Sequence, residues 1–171
     1  RDSADIDRDG DLDAVISKDG GNSTNIATVY AWDLQTPNPV YSTYTVSSSG
    51  GNLSHANIAD FDSDGQLEIG IATVNSYRVL KWDSGNNAWT ILWQTTVADG
   101  SGATGAVVFD FNGDGRKEVA HRDQNAIRIF DGATGSVLYT SSCATGSAYE
   151  YPTVADVDMD GEAELLSLIH I

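Results

Sequence analysis

One nine-residue pattern constrains this chain more than any other feature, because it occurs four times. Asp-x-Asp/Asn-x-Asp-Gly-x-x-Asp/Glu runs from Asp5 to Asp13, Asp60 to Glu68, Asp110 to Glu118 and Asp156 to Glu164. Carboxylates on alternate residues repel one another, and no run of Lys or Arg stands nearby to neutralise them. A hard divalent cation compensates such a cluster: Ca2+ takes about six to eight oxygens at roughly 2.3–2.6 Å, from carboxylates, backbone carbonyls and water. Glycine at the sixth position (Gly10, Gly65, Gly115, Gly161) permits the sharp turn that wraps a loop around an ion.

By analogy with EF-hand loops, positions 1, 3 and 5 would supply side-chain oxygens and position 7 a backbone carbonyl, but here the closing acid stands at position 9 rather than 12. The flanks differ as well. Short β-branched and apolar runs such as Ala106-Val107-Val108-Phe109 precede the loops, and Leu67-Glu68-Ile69-Gly70-Ile71 follows one of them. These read as strands, so each loop is expected to be the turn of a β-hairpin.

Size and composition agree with a turn-rich β protein: 171 residues, 40% hydrophobic, seventeen Gly and three Pro. The net charge of −16 argues against a nucleic-acid partner, whose phosphates need a basic face. Of the 25 acidic residues, 17 lie in the four loops, so the acidity is local, and four bound divalent ions would halve the net charge. No apolar run approaches the roughly twenty residues that span a bilayer, and Cys143 stands alone, so no internal disulfide is expected. The chain opens on Arg1 and reads as the interior of a longer protein, while Leu166 to Ile171 read as an adaptor-derived tail, with an ordinary apolar strand ending as the alternative.

The first aspartates of the loops are 55, 50 and 46 residues apart, a period that suits a four-stranded propeller blade. The chain is therefore expected to be all-β. Residues 1–165 would form an incomplete β-propeller of roughly three to four blades of four antiparallel strands, in units of about 1–48, 49–100, 101–148 and 149–165. Strands are expected at Leu12–Ser17, Ile26–Leu34 and Val40–Val46, then at Leu67–Val74, Tyr77–Trp82 and Trp89–Val97. They recur at Glu118–His121, Ala126–Phe130 and Val137–Ser141, and near Tyr151–Ala155. Only a stub stands where the first strand of the first unit belongs, so two complete and two partial blades are expected, with exposed sheet edges at both ends. Trp32-Asp33, Trp82-Asp83 and Phe130-Asp131 end the third strand of three units; the aromatic should pack between blades and the Asp should cap the turn.

Loops, period and flanking strands together resemble the VCBS/FG-GAP repeats of integrin-alpha-like β-propellers, over the chain up to about Leu165. Ala4 to Asp13 and Ala155 to Gly161 are close to the bacterial form of the repeat, although neither a Phe-Gly nor a Gly-Ala-Pro tripeptide occurs. The resemblance implies that the loops hold Ca2+, up to four ions. Carried over by position, the side-chain ligands are Asp5, Asp7, Asp9 and Asp13 in the first loop and Asp60, Asp62, Asp64 and Glu68 in the second. The third uses Asp110, Asn112, Asp114 and Glu118, and the fourth Asp156, Asp158, Asp160 and Glu164. Backbone carbonyls come from Asp11, Gln66, Arg116 and Glu162. With Asn112 in place of a carboxylate and Arg116 and Lys117 alongside, the third loop is expected to lose its ion first.

The resemblance further implies a secreted or surface protein of a bacterium. Its function would be non-catalytic, adhesion or the binding of an extracellular protein or polysaccharide, with the rest of the parent propeller as a structural partner. The alternative is the propeller domain of a secreted polysaccharide lyase or other carbohydrate-active enzyme. His55, His121, Arg122 and Arg128 are the main candidates for such chemistry, and nothing in their spacing joins them. His121-Arg122-Asp123 matches the start of a kinase catalytic loop without the rest of that machinery, and Asp131 to Gly135 reads as a hairpin turn. Trp89, Trp93, Tyr149 and Tyr151 are read as packing aromatics rather than sugar platforms, and Asn22 and Asn52 open glycosylation sequons.

Overall fold

A computed structural model describes residues 2–6, 8–18, 26–33, 41–47, 52–143 and 151–166. Every regular element among them is a β-strand. The first sheet contains β1 (Asp2–Ala4), β2 (Asp13–Lys18), β3 (Ile26–Asp33) and β4 (Tyr41–Ser47). The second contains β5 (Asn57–Ala59), β6 (Glu68–Thr73), β7 (Ser76–Asp83) and β8 (Ala88–Thr96). The third contains β9 (Ala106–Phe109), β10 (Glu118–Arg122), β11 (Ala126–Asp131) and β12 (Val137–Ser142), and the last β13 (Thr153–Ala155) and β14 (Glu164–Leu166). In every sheet the strands lie in chain order, and each neighbouring pair is antiparallel.

Strand limits fall within two residues of those read from the sequence. The four sheets agree with the expected three to four blades, but the first is more complete than expected: Asp2–Ala4 pairs with β2 through Asp2↔Val15, Ser3↔Ala14 and Ala4↔Asp13, so the stub is a true edge strand. Three four-stranded sheets and one two-stranded sheet replace the expected two complete and two partial blades. The turn over 19–25 with the Asn22 sequon, Pro37 and Pro39, the linker over 48–51, Tyr149 and the tail over 167–171 lie outside the described residues.

The first strands of successive sheets lie side by side, β1 by β5, β5 by β9 and β9 by β13, which is how propeller blades face their common axis. Side chains between neighbouring sheets form the core. Val15, Val29 and Val46 of the first sheet meet Ile69, Ile71 and Leu80 of the second. Tyr77, Val79 and Trp93 of the second meet Val119 and Phe130 of the third. Covered on both faces, β6 and β10 are buried along their whole length, and their Ile and Val content suits that position.

The aromatic-Asp pairs behave as expected where they are described. Phe130 is fully buried against Trp93 of the neighbouring sheet, with ring centroids 6.3 Å apart. Asp83 Oδ1 accepts the Gly85 and Asn86 N–H groups, and Asp131 Oδ1 accepts that of Thr134. Gly132 is required at this junction: a Cβ there would sit 2.0 Å from the Lys117 carbonyl oxygen, and the Gly132 carbonyl accepts the Trp93 indole N–H at 2.5 Å. On β12, Val137, Leu138 and Tyr139 are each more than half exposed.

Candidate metal centres

Each acidic loop joins the first and second strands of its sheet, and over their described residues the four share one set of backbone hydrogen bonds. Position 1 turns its carboxylate inward to accept the N–H of the glycine at position 6: Gly10 to Asp5 at 3.1 Å, Gly65 to Asp60 at 2.9 Å, Gly115 to Asp110 at 2.8 Å and Gly161 to Asp156 at 3.0 Å. Position 5 accepts the N–H of position 7, from Asp11, Gln66, Arg116 and Glu162 onto Asp9, Asp64, Asp114 and Asp160. The closing acid accepts the N–H of position 2: Ile6 to Asp13 at 2.8 Å, Phe61 to Glu68 at 2.8 Å, Phe111 to Glu118 at 2.7 Å and Val157 to Glu164 at 2.9 Å.

The glycines have φ of +98°, +84°, +88° and +93°, the left-handed region that a side chain disfavours. Position 4 is left-handed too, in Arg8, Ser63, Gly113 and Met159, with φ between 59° and 73°. That second reversal is not legible in so varied a set of residues; only Gly113 hints at it.

This shared backbone draws carboxylates together. Asp60, Asp62 and Glu68 bring one oxygen each within 4.8 Å of one another, as do Asp110, Asp114 and Glu118, and Asp156, Asp158 and Glu164. In the first loop Asp7 lies outside the described residues, and Asp5, Asp9, Asp11 and Asp13 take the same backbone bonds as their counterparts. Not every expected ligand converges. Asp64 turns to Lys81, whose Nζ is 2.7 Å from its Oδ2, and Asp160 stays out of the fourth group. Asn112 uses its oxygen for the Asp114 N–H and its amide N–H for Glu118 Oε1 at 3.3 Å. Among the position-7 residues, the Gln66 side chain donates to the Trp82 carbonyl, and Asp11, Arg116 and Glu162 are exposed.

The electrostatics of the closing acids fit a cation. Glu68 is wholly buried, and among the described residues its Oε1 has no hydrogen-bond partner; the Lys81 ammonium stands 3.5 Å away. Burial pushes the Glu68 carboxyl up to about 7, with Asp62 and Asp64 adding to the rise and the Phe61 N–H and Lys81 opposing it. Burial, with Asp110 and Asp114, raises Glu118 as well. A buried anionic oxygen facing other carboxylates is costly in a protein alone, and a coordinated divalent ion would remove that cost.

The second and third loops, with the sheet between them, decide the likeness to known proteins. Residues 60–121 match the FG-GAP-like repeat. No curated protein matches the chain in sequence. Among solved structures, the V. cholerae biofilm matrix protein Bap1 shares the fold, with a TM-score of 0.53 and 22% identity over 83% of this chain and 22% of that one. A rhamnogalacturonan lyase, YesW, aligns over 83% of this chain and 38% of its own, with a TM-score of 0.44 and 18% identity. The chain thus spans well under half the length of either protein.

Beyond the loops, strand pairing does bring together residues that spacing leaves apart: His121 on β10 stands opposite Arg128 on β11, next to Arg122. The Arg128 guanidinium goes to Asp123, and His121 and Arg122 are buried at 0% and 1% exposure. His55 is exposed and stacks on Tyr151, with ring centroids 5.2 Å apart. Trp93 is a packing residue between the second and third sheets, as expected.

Proposed function

We propose that this chain is a calcium-binding, non-catalytic module of an extracellular β-propeller, secreted or displayed on a bacterial surface, that serves adhesion by binding a polysaccharide or protein. The observation that carries the calcium reading is the common cradle: one backbone arrangement in four loops, carboxylates converging in three of them, and a buried Glu68 oxygen without a hydrogen bond. Asp60, Asp62, Glu68 and their equivalents would hold the ion, with position-7 carbonyls completing an oxygen shell of the kind Ca2+ takes. The ion would act as a staple between first and second strands.

Support for an extracellular role comes from the FG-GAP-like repeat and from the precedent of a biofilm matrix protein with this fold. Calcium is abundant outside cells, which suits loops of moderate affinity. Nothing in the arrangement of His55, His121, Arg122 and Arg128 favours the lyase reading, because two of the four are buried and a third is paired.

Calorimetric titration with Ca2+, together with terbium luminescence, tests this reading. Uptake at the loops is expected, with each occupied site adding about 2.7 kcal/mol of stability at a hundred times its dissociation constant. No uptake of either ion at any loop would end the calcium reading. Binding to immobilised bacterial polysaccharides, measured with calcium and with chelator, tests the adhesive role.

A further inference from the structure

Among the described residues, the second loop differs from the third and fourth in what stands over its carboxylates. The pairing of Ile69 with Leu80 carries Lys81 of β7 to the loop. Its Nζ contacts Asp62 Oδ2, lies 2.7 Å from Asp64 Oδ2 and 3.5 Å from Glu68 Oε1. Two of these three acids, Asp62 and Glu68, belong to the converging group. Glu68 is 0% exposed, and its Oε1 makes no hydrogen bond, so the ammonium faces the oxygen that most needs a cation.

Strand register places Lys81 of the second sheet across from the closing acid, one step past Ile69↔Leu80, where the first and third sheets have Asp33 (Asp13↔Asp33) and Asp131 (Glu118↔Asp131). Among the three sheets with a described third strand, the second alone has a basic residue at this place. Arg116 and Lys117, next to the third loop in sequence, form no ion pair with its carboxylates among the described residues.

We propose that Lys81 is a tethered counter-cation of the second loop: its ammonium holds the carboxylates when no divalent ion is present and must withdraw for one to bind. This rests on the calcium reading above and adds a ranking within it. Ligand charge alone makes the third loop the first to lose its ion; Lys81 moves that place to the second. A positive charge a few ångströms from the ion opposes it even at the effective dielectric of a protein surface, and removing that charge is worth at least about tenfold in affinity. The second sheet would in exchange keep its loop closed without calcium, because the lysine bridges β7 to the loop between β5 and β6.

The position-6 glycine amides report each loop separately in a 15N NMR titration of the full chain with Ca2+. In the wild type, Gly65 is expected to shift last, after Gly10, Gly115 and Gly161. In Lys81→Met it should shift at least about tenfold earlier with the other three unmoved, and in Lys81→Arg it should again come last. A Gly65 midpoint indifferent to Lys81→Met, with the other glycines still responding, would overturn this proposal and leave the calcium reading standing. No response at any glycine would overturn both.

A second measurement needs no variant. Acylation of wild-type protein, read by mass spectrometry, should modify Lys81 slowly in chelator and several-fold faster in calcium, while Lys117 changes little. Equal Lys81 rates in the two conditions would overturn the proposal even if Lys81→Met fails to fold.

Discussion

At the end of the sheets away from the acidic loops, Asp99 and Asp123 are 1% and 2% exposed, against 0% and 3% for Glu68 and Glu118 at the loop end. The two pairs are equally buried, yet their surroundings differ. Asp123 accepts the N–H groups of Ala98, Asn125 and Ala126 and pairs with the Arg128 guanidinium. Asp99 accepts those of Ser101, Gly102 and Thr104 and the Ser101 hydroxyl. Burial alone would raise Asp123, but its backbone donors and Arg128 outweigh it and hold the carboxyl below the usual range. For Glu68 and Glu118 the balance goes the other way and both are raised. Burial is therefore not what marks a site here. An oxygen left without a donor marks it, and among these four buried acids Glu68 alone has one.

The comparison breaks most visibly at Asp123. Asp123→Ala would strand three backbone N–H groups and a partly buried guanidinium, and a loss of about 3–5 kcal/mol is expected. Because every partner of Asp123 is within the protein, the loss should be the same in saturating calcium and in chelator. Urea unfolding under both conditions measures it. A loss that shrank on adding calcium would mean that the two ends are coupled.

Proton binding separates the ends next. Burial pushes the His121 imidazole down to about 4, against the pull of Asp99 and Asp123. In the unfolded chain it titrates near 6.5. Above pH 6.5 both states are neutral and His121 costs nothing. As pH falls from 6.5 towards 4 the unfolded state gains a proton that the fold refuses, and stability drops by up to about 3 kcal/mol. His121→Leu should remove that part of the acid response, seen as the difference between the two stability-against-pH curves. Parallel curves would show that His121 is not held neutral.

Much of the loop end was legible because its chemistry recurs in register: Asp60, Asp110 and Asp156 take the same backbone bonds, as do the acids that close their loops. Strand limits followed from β-branched runs bounded by Gly and Asn turns. What escaped depends on pairing across the sheet. Lys81 comes to its loop only through the Ile69↔Leu80 register, and His121 meets Arg128 only through β10 and β11. The short β1 gave too little pattern to read as a strand, because three residues carry no alternation to recognise. Asp99 and Asp123 look like any loop aspartate until their backbone donors are seen.

Within the loop end, the smallest test compares two closing acids that make the same bond in different surroundings. Glu68 and Glu164 each accept the N–H of the residue seven positions earlier, but Phe61 and Glu68 are buried, whereas Val157 is 56% exposed. In chelator, Glu68→Ala leaves a buried N–H without an acceptor and should cost about 1–3 kcal/mol. Glu68→Gln keeps an acceptor while removing a buried charge, so it should cost less than Glu68→Ala. Water can replace the carboxylate at Val157, so Glu164→Ala should stay within about 0.5 kcal/mol. Thermal unfolding of the three variants without calcium gives the ranking. Equal losses for Glu68→Ala and Glu164→Ala would show that the loops, not their burial, set the energetics, and the contrast drawn between a buried and a half-buried closing acid would fail.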